Sequence, residues 1–247
     1  NMSLMGVDVG TTGVKAVVFD DKGAQIASAY EEYPLHFPFP GASELDSNGV
    51  INASLRVIRK AAKDAAPISP VKAIGIASQG EAFTPLAPDG RILGNAMTSS
   101  DNRVEPYVRS WSDKFGYEHL YATTGHAPYT IHSLYKMLWL KDHQPDVWRD
   151  AWKFLFFEDL IAYVLTGETK VDYSLAARSM LFDIRTKKWS SEICGALEID
   201  TAKLPEPVPS GEIVGKIKKD LAESLGLNSD VTVSAAGHDQ PVGALGC

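Results

Sequence analysis

The stretch MGVDVGTTGVKAVVFD, residues 5–20, carries the strongest indication of fold in this chain. Two apolar runs rich in valine flank the tetrapeptide Gly10-Thr11-Thr12-Gly13. Such runs are typical of β-strands, and glycine tolerates the backbone conformations that a tight connection needs. The stretch therefore predicts a β-hairpin whose tip is the tetrapeptide.

The tip of this hairpin is also a candidate phosphate site. Its backbone N–H groups and the hydroxyls of Thr11 and Thr12 are donors, and such a concavity suits phosphate oxygens. The carboxylate of Asp8 can hold Mg²⁺ or a water of that ion beside the tip. Lys15 either adds positive charge here or faces solvent from its strand. An ordinary hairpin with a glycine turn is the alternative, and no Walker sequence Gly-x-x-x-x-Gly-Lys-Ser/Thr occurs.

Composition places the chain among globular proteins and argues against several partners. Of 247 residues, 45% are hydrophobic and 22% charged, enough for a substantial core. A net charge of −7 argues against a nucleic-acid surface. Two cysteines imply no disulfide framework, and no apolar run reaches membrane-spanning length. We therefore expect a cytoplasmic protein without nucleic-acid or membrane partners, and leave a homodimer open.

The order of the next elements predicts an α/β fold with a mixed sheet. A third strand at 24–33 extends the hairpin into an antiparallel meander. A helix at 50–66 and an apolar strand at 71–78 follow, as at the start of a ribonuclease-H-like fold. The pattern from 104 to 165 is mainly helical.

Polar residues follow the strand predicted at 71–78. Gln79-Gly80-Glu81 come directly after it, and Asp101 and Arg103 come after a further hairpin. Ligands of α/β sheets usually bind beyond the carboxyl ends of strands, which makes these residues candidates for ligand contacts. Solvated loop residues are the alternative.

A second polar segment, Gly237-His238-Asp239-Gln240-Pro241, follows a strand predicted at 230–235. Asp239 falls at the start of a helix, where it is either a catalytic carboxylate or an N-cap. The histidines show no metal-binding i,i+4 pair with an acid, and Gly-x-Ser-x-Gly does not occur, so a zinc enzyme and a serine hydrolase are unsupported.

Several of these motifs resemble the FGGY family of carbohydrate kinases, in the actin-like, ribonuclease-H-fold group. The resemblance lies in DVGTTGVK at 8–15, in the segment 79–103 and in GHDQPVGALG at 237–246. Gly80 stands where members often carry Met or Arg, and Ser99-Ser100 where many carry Trp. These departures leave the identity of the sugar open.

The resemblance implies an actin-like ATPase domain with a largely helical insertion. Residues 1–247 would be the N-terminal domain, which binds the sugar and carries the catalytic group, with the insertion at about 104–210. Members close two similar domains around a cleft, and we expect the C-terminal ATP-binding domain to be absent from this chain.

The implied reaction is ATP-dependent, in-line phosphorylation of a hydroxyl of a ketose or polyol, such as xylulose, ribulose or a glycerol-like substrate, with Mg²⁺ as cofactor. The resemblance assigns catalysis to Asp239, phosphate binding to Gly10, Thr11, Thr12 and Lys15, substrate binding to Gln79, Gly80, Glu81, Asp101, Arg103 and Gln240, and Mg²⁺ to Asp8. A non-catalytic sugar-binding or regulatory module and a phosphohydrolase on the same fold are the alternatives.

Overall fold

The computed structural model describes residues 2–247 as a mixed α/β structure. The strands are β1 Ser3–Val9, β2 Gly13–Phe19, β3 Gln25–Glu32, β4 Glu44–Leu45, β5 Val71–Ser78, β6 Phe83–Leu86, β7 Ala96–Met97, β8 Lys153–Phe156, β9 Lys170–Asp172, β10 Phe182–Asp183, β11 Lys188–Trp189, β12 Glu206–Val208, β13 Ile213–Lys216 and β14 Thr232–His238. The helices are α1 Ser47–Ala65, α2 Glu105–Phe115, α3 Tyr117–Thr124, α4 Ser133–His143, α5 Pro145–Asp150, α6 Phe157–Thr166, α7 Tyr173–Arg178, α8 Ser191–Leu197, α9 Lys219–Leu225 and α10 Asp239–Leu245.

Six strands form the central sheet, in the order β13-β14-β5-β1-β2-β3. β1, β2 and β3 are an antiparallel meander, and β5 pairs in parallel with both β1 and β14. The predicted mixed sheet is confirmed. Because three parallel strands end at the same edge, the segments that follow β1, β5 and β14 meet there.

One face of the sheet is covered by helices. Met5, Val7 and Val9 point to that face and are buried, as the period-two pattern of a strand requires. α1 packs against β2 and β3, and α6 packs against β14 and β5. α1 begins at Ser47 rather than at the predicted residue 50, because the carboxylate of Asp46 accepts a hydrogen bond from Asn48 N and caps the helix.

The opposite face of the sheet is largely open. Leu4 and Phe19 are exposed on it. A groove of about 290 Å³ on this face is lined by residues of β1, β2, β5 and β14, among them Asp8 and Lys15, and by Val242 of α10. Asp8 therefore opens onto a groove that reaches the carboxyl ends of the parallel strands.

Residues 2–247 form two hydrophobic cores. The first joins the sheet to α1, α6 and α9, and the second joins α2, α4, α7 and α8 to β6, β8 and β10. Residues 104–210 contribute to both, since Leu160 and Ile161 of α6 lie in the first core. Phe83 and Met97, which precede residue 104, lie in the second. No helix within residues 2–247 has both the length and the apolar character needed to cross a bilayer.

Candidate active site

The ends of β1, β5 and β14 bring the predicted site residues to one edge of the sheet. Asp8 and Gly237 both pair with Ala77 of β5, from opposite sides. The strand-edge site, as we define it, consists of Asp8, Glu81, His238 and Asp239. Two segments more than 220 residues apart in sequence thus lie at one level of the sheet.

The hairpin tip uses several of its polar groups internally. Gly10 N donates to Gly13 O at 2.9 Å, which closes the turn, so this N–H is not available to phosphate as the sequence had suggested. Thr11 Oγ1 donates to Gln79 Oε1 at 3.1 Å, and Gln79 Nε2 donates to Gly10 O at 3.1 Å. The exposed Thr12 hydroxyl makes no hydrogen bond within residues 2–247. Thr12 is therefore the hydroxyl of the tip that a ligand can reach.

Gln79 is predicted to contact the substrate, and the structure shows how its amide is held. It is buried, and both polar atoms of its amide bind the hairpin tip. Its structural effect is to fix the tip against the end of β5.

Asp8 and Asp239 face the same space. Burial raises the pKa of Asp8, the nearby charge of Asp239 raises it further, and Lys15 opposes the rise. Lys15 is the cross-strand partner of Asp8 in the hairpin ladder. Since two carboxylates near one another repel, this space is favourable for a cation.

The strand-edge site fits Mg²⁺ as an ion shared with a substrate. Among residues 2–247, no three His, Cys, Asp or Glu side chains come together as a metal cage. Mg²⁺ commonly binds through one or two protein carboxylates, with waters and substrate phosphates completing its shell. The carboxylate of Asp8 is the group that would hold it.

Asp239 is the first residue of α10 and does not cap it. His238 occupies the N-cap position, and no side chain makes a capping hydrogen bond there. The Asp239 side chain is 28% exposed, and its Oδ1 lies 3.3 Å from His238 Nε2. The interpretation of Asp239 as an N-cap therefore finds no support in its contacts. Gln240, beside it, is exposed on the surface.

Glu81 has a strained backbone and a paired side chain. Its φ is 64°, in the left-handed region that non-glycine residues rarely adopt. Its carboxylate forms an ion pair with Arg178, and its carbonyl accepts a hydrogen bond from Ser133 Oγ at 2.7 Å. Such strain is common at functional sites, where surrounding contacts hold it in place.

Asp101 and Arg103 form a separate buried loop cluster with Ser43 and Glu44. Asp101 is 0% exposed and the Arg103 side chain 4%. Arg103 pairs with Asp101 and Glu44, each at 2.7 Å, and Asp101 Oδ2 also accepts from Ser43 N at 2.8 Å. Their polar atoms are thus used within the protein, and their contact with a substrate stays a prediction.

The guanidinium of Arg103 also lies between two aromatic rings, 4.8 Å from the centre of Phe39 and 4.7 Å from that of Trp139. This packing adds cation–π attraction to the ion pairs. The cluster consequently ties the loop before α1 to the loop before α2.

Lys136 lies behind both polar regions, and its burial is not visible in the sequence. Its ammonium nitrogen is fully buried and has no hydrogen-bond partner within residues 2–247. Burial lowers the pKa of Lys136 to about 8, while the charges of Glu81 and Asp101 oppose this. No local motif marks such a residue, since a lysine on an amphipathic helix normally faces solvent.

A network around Asp172 supports the end of β14, a role that no sequence pattern indicates. The Asp172 carboxylate accepts from Ser174 N at 2.8 Å, from Ser174 Oγ at 3.0 Å and from Ser210 Oγ at 2.6 Å. Ser174 Oγ in turn accepts from His238 N at 2.9 Å. Asp-x-Ser before a helix is recognisable as a cap, but its contact with residue 238 is not visible in sequence.

Comparison with known proteins agrees with this geometry. The model of the N-terminal domain of the FGGY family of carbohydrate kinases matches residues 3–246. A xylulose kinase of Bacillus subtilis is 30% identical over 98% of this chain and 49% of its own length. A glycerol kinase of Thermococcus onnurineus is 32% identical, again over 98% of this chain and 49% of its own length.

A solved structure shows the same fold. The ligand-bound xylulose kinase of Lactobacillus acidophilus superposes with a TM-score of 0.93 at 27% identity, and the match covers 100% of this chain and 50% of that one. The chain spans about half the length of the curated relatives it matches.

Proposed function

The chain belongs to the FGGY family of carbohydrate kinases, and from this we propose that it forms the substrate-binding and catalytic half of an ATP-dependent kinase of a sugar or polyol. The relatives are named as kinases of xylulose and glycerol, which supports a ketose or polyol acceptor. Because those relatives are about twice as long, we assign most contacts to the adenosine to a second domain.

The observation that carries this proposal is the convergence of Asp8 and Asp239 at one edge of the sheet. Phosphoryl transfer needs a base for the attacking hydroxyl and an electrostatic environment that offsets charge on the transferred phosphoryl group. The carboxylate of Asp239 can act as the base. The carboxylate of Asp8 offers a site for a cation that offsets the charge on the phosphoryl group.

The proposed reaction assigns one role to each group. Asp239 accepts the proton of the sugar hydroxyl, and the oxygen of that hydroxyl attacks the γ-phosphorus of ATP. The bond between this phosphorus and the β-γ bridging oxygen breaks, and ADP is released. Asp8 would hold Mg²⁺, which would offset negative charge on the phosphates when bound. The Thr12 hydroxyl and the backbone N–H groups of Thr11 and Thr12 donate to phosphate oxygens, whereas the Gly10 N–H is used within the turn.

Glu81 is the proposed substrate ligand on the other side of the site. Its carboxylate is held in place by Arg178, and a fixed acceptor of this kind can select a hydroxyl of given position. Gly80 precedes Glu81 in the sequence, and Gln240 follows Asp239. We keep both as neighbours of the substrate. Asp101 and Arg103 are left out of the proposed contacts because their polar atoms are already paired.

The test is substrate-dependent ADP release by a protein that contains this domain and the half that follows it in its relatives. A panel of pentoses, hexoses, ketoses and polyols should include at least one that raises ADP release well above the rate without sugar. ADP release that is independent of every sugar would indicate a phosphohydrolase instead. Sugar binding without ADP release would indicate a non-catalytic module.

A further inference from the structure

We propose that His238 is a positioning residue that orients the carboxylate of Asp239, and that Gly80 and Ser174 hold His238 in place for this purpose. The inference rests on the proposed role of Asp239 as the base. It adds a residue that no motif assigned, and it explains why glycine stands at position 80.

The imidazole ring lies directly beside the base. His238 Nε2 is 3.3 Å from Asp239 Oδ1, and the two side chains are 13% and 28% exposed. Within residues 2–247 the Asp239 carboxylate forms this ion pair and no side-chain hydrogen bond, and the His238 contact is a close approach of two groups rather than a hydrogen bond. The ring nitrogen Nε2, 3.3 Å away, is thus the side-chain group that limits the rotamers of a carboxylate on the first turn of a seven-residue helix.

Gly80 leaves the space that the ring occupies. A Cβ atom on residue 80 would lie 2.9 Å from His238 Nε2 and 3.0 Å from its Cδ2, closer than such contacts normally come. It would also lie 3.5 Å from Arg178 Nε. Any side chain larger than hydrogen at position 80 would therefore displace the ring from Asp239.

The backbone of His238 is fixed from the other side. Ser174 Oγ accepts from His238 N at 2.9 Å and donates to Asp172 Oδ1 at 3.0 Å. Gly237 has φ 140°, and a Cβ there would lie 3.0 Å from Ser174 Oγ, so only glycine lets the strand approach. The pairing of β14 with β5 shifts register just before this point, and such irregularities re-aim side chains.

The ring and backbone contacts together restrict His238 at both ends. The position of Asp239 is then set by His238, which is held by β5, α7 and β14, rather than by the short helix α10. Misplacing a reacting group by about 1 Å can cost on the order of 100-fold in rate, so this restraint matters for turnover.

The kinetic test uses the full-length kinase that contains this domain. His238→Ala should lower kcat by about 10- to 100-fold and leave KM for the sugar within about threefold. His238→Gln keeps an N–H donor at similar reach and should recover most of the lost kcat. His119→Ala, at an exposed histidine on α3, is the matched control and should retain wild-type kinetics.

A double-variant cycle tests the role of Gly80. Gly80→Ala should lower kcat by displacing the ring, and the double variant Gly80→Ala/His238→Ala should be no slower than His238→Ala alone. Gly195→Ala, where an added Cβ meets nothing within 4 Å, is the control for a glycine substitution. Independent, multiplying losses in the double variant would refute the link between Gly80 and the ring.

A spectroscopic test needs no activity and uses the 247-residue chain itself. Long-range ¹H–¹⁵N spectra should show a protonated Nε2 on His238 whose resonance shifts in Asp239→Asn and in Gly80→Ala. If the kinase proposal fails in the activity assay, these shifts still decide the contact. Unshifted His238 resonances, wild-type kcat in His238→Ala, or a rise in KM alone would each overturn the positioning role, and the last would make the ring a substrate ligand.

Discussion

The strand-edge site and the buried loop cluster contain the same kinds of side chain, acids beside a basic residue, yet the structure uses them differently. Asp239 is 28% exposed and, within residues 2–247, forms an ion pair with its neighbour His238, whereas Asp101 is 0% exposed and is paired with Arg103. Both segments resemble motifs of one family. Motif resemblance therefore does not show which polar side chains are already paired within the protein: Asp239 and Asp101 differ in this respect, whereas Glu81 of the strand-edge site is buried and paired with Arg178.

The largest expected effect is catalytic and confined to the strand-edge site. Asp239→Asn keeps the size of the side chain but cannot accept a proton, so kcat of the full-length kinase should fall by about 10²- to 10⁴-fold. Sugar affinity, measured by calorimetry, should change much less. Because Asn caps helices as well as Asp, near-normal turnover in this variant would show that residue 239 has only a structural role.

The corresponding change in the buried loop cluster should act on stability. Arg103→Met leaves Asp101 and Glu44 without their partner, and removing one member of a buried pair typically costs about 3–5 kcal/mol. Urea unfolding of the 247-residue chain measures this loss.

Arg149→Met removes the matched exposed pairs with Asp146 and Asp150 and should leave the unfolding curve unchanged. If Arg103→Met lowers the free energy of unfolding no more than Arg149→Met does, the buried loop cluster has no structural role.

Lys136 lies between the two regions and predicts a pH effect. Its pKa in the folded chain is lowered to about 8 from an ordinary value of 10.5, so the unfolded chain holds more protons between these pH values. The free energy of unfolding of the wild type should then rise, relative to Lys136→Met, as the pH increases from 8 to 10.5. Parallel pH profiles of the two proteins in denaturant titrations would argue against a lowered pKa of Lys136 in the folded chain.

The smallest expected effect separates the two threonines of the hairpin tip. Thr11→Val removes a hydrogen bond to Gln79 and should cost about 1 kcal/mol of unfolding free energy. Thr12→Val removes an exposed hydroxyl, which should leave stability unchanged and raise KM for ATP in the full-length kinase. A loss of stability in Thr12→Val together with a raised KM for ATP in Thr11→Val would exchange the roles of the two hydroxyls.

Elements with a clear local pattern were predictable from the sequence. The strand at 71–78 and the mixed sheet are present as expected, because alternating or continuous apolar residues determine burial locally. β14 continues to His238 rather than ending at residue 235, since Gly237 and a register shift break the apolar pattern without ending the strand.

The polar sites were predictable only in part. Asp8 and Asp239 followed from motifs, but the pairing of Thr11 with Gln79 spans 68 residues and that of Ser174 with His238 spans 64. The burial of Asp101 depends on Ser43 and Glu44, which no nearby residue indicates. Such contacts arise from tertiary packing, and a single sequence carries no local signal for them.

The central claim is that phosphoryl transfer takes place at the strand-edge site. It is tested most directly by adding Mn²⁺ and ATP to the 247-residue chain and measuring the paramagnetic broadening of its ¹⁵N spectra. Mn²⁺ replaces Mg²⁺ at oxygen ligands. The account predicts broadening centred on the amides of residues 8–12, 77–80 and 237–240, and its loss in Asp8→Asn. Broadening centred elsewhere, or unchanged by Asp8→Asn, would contradict it.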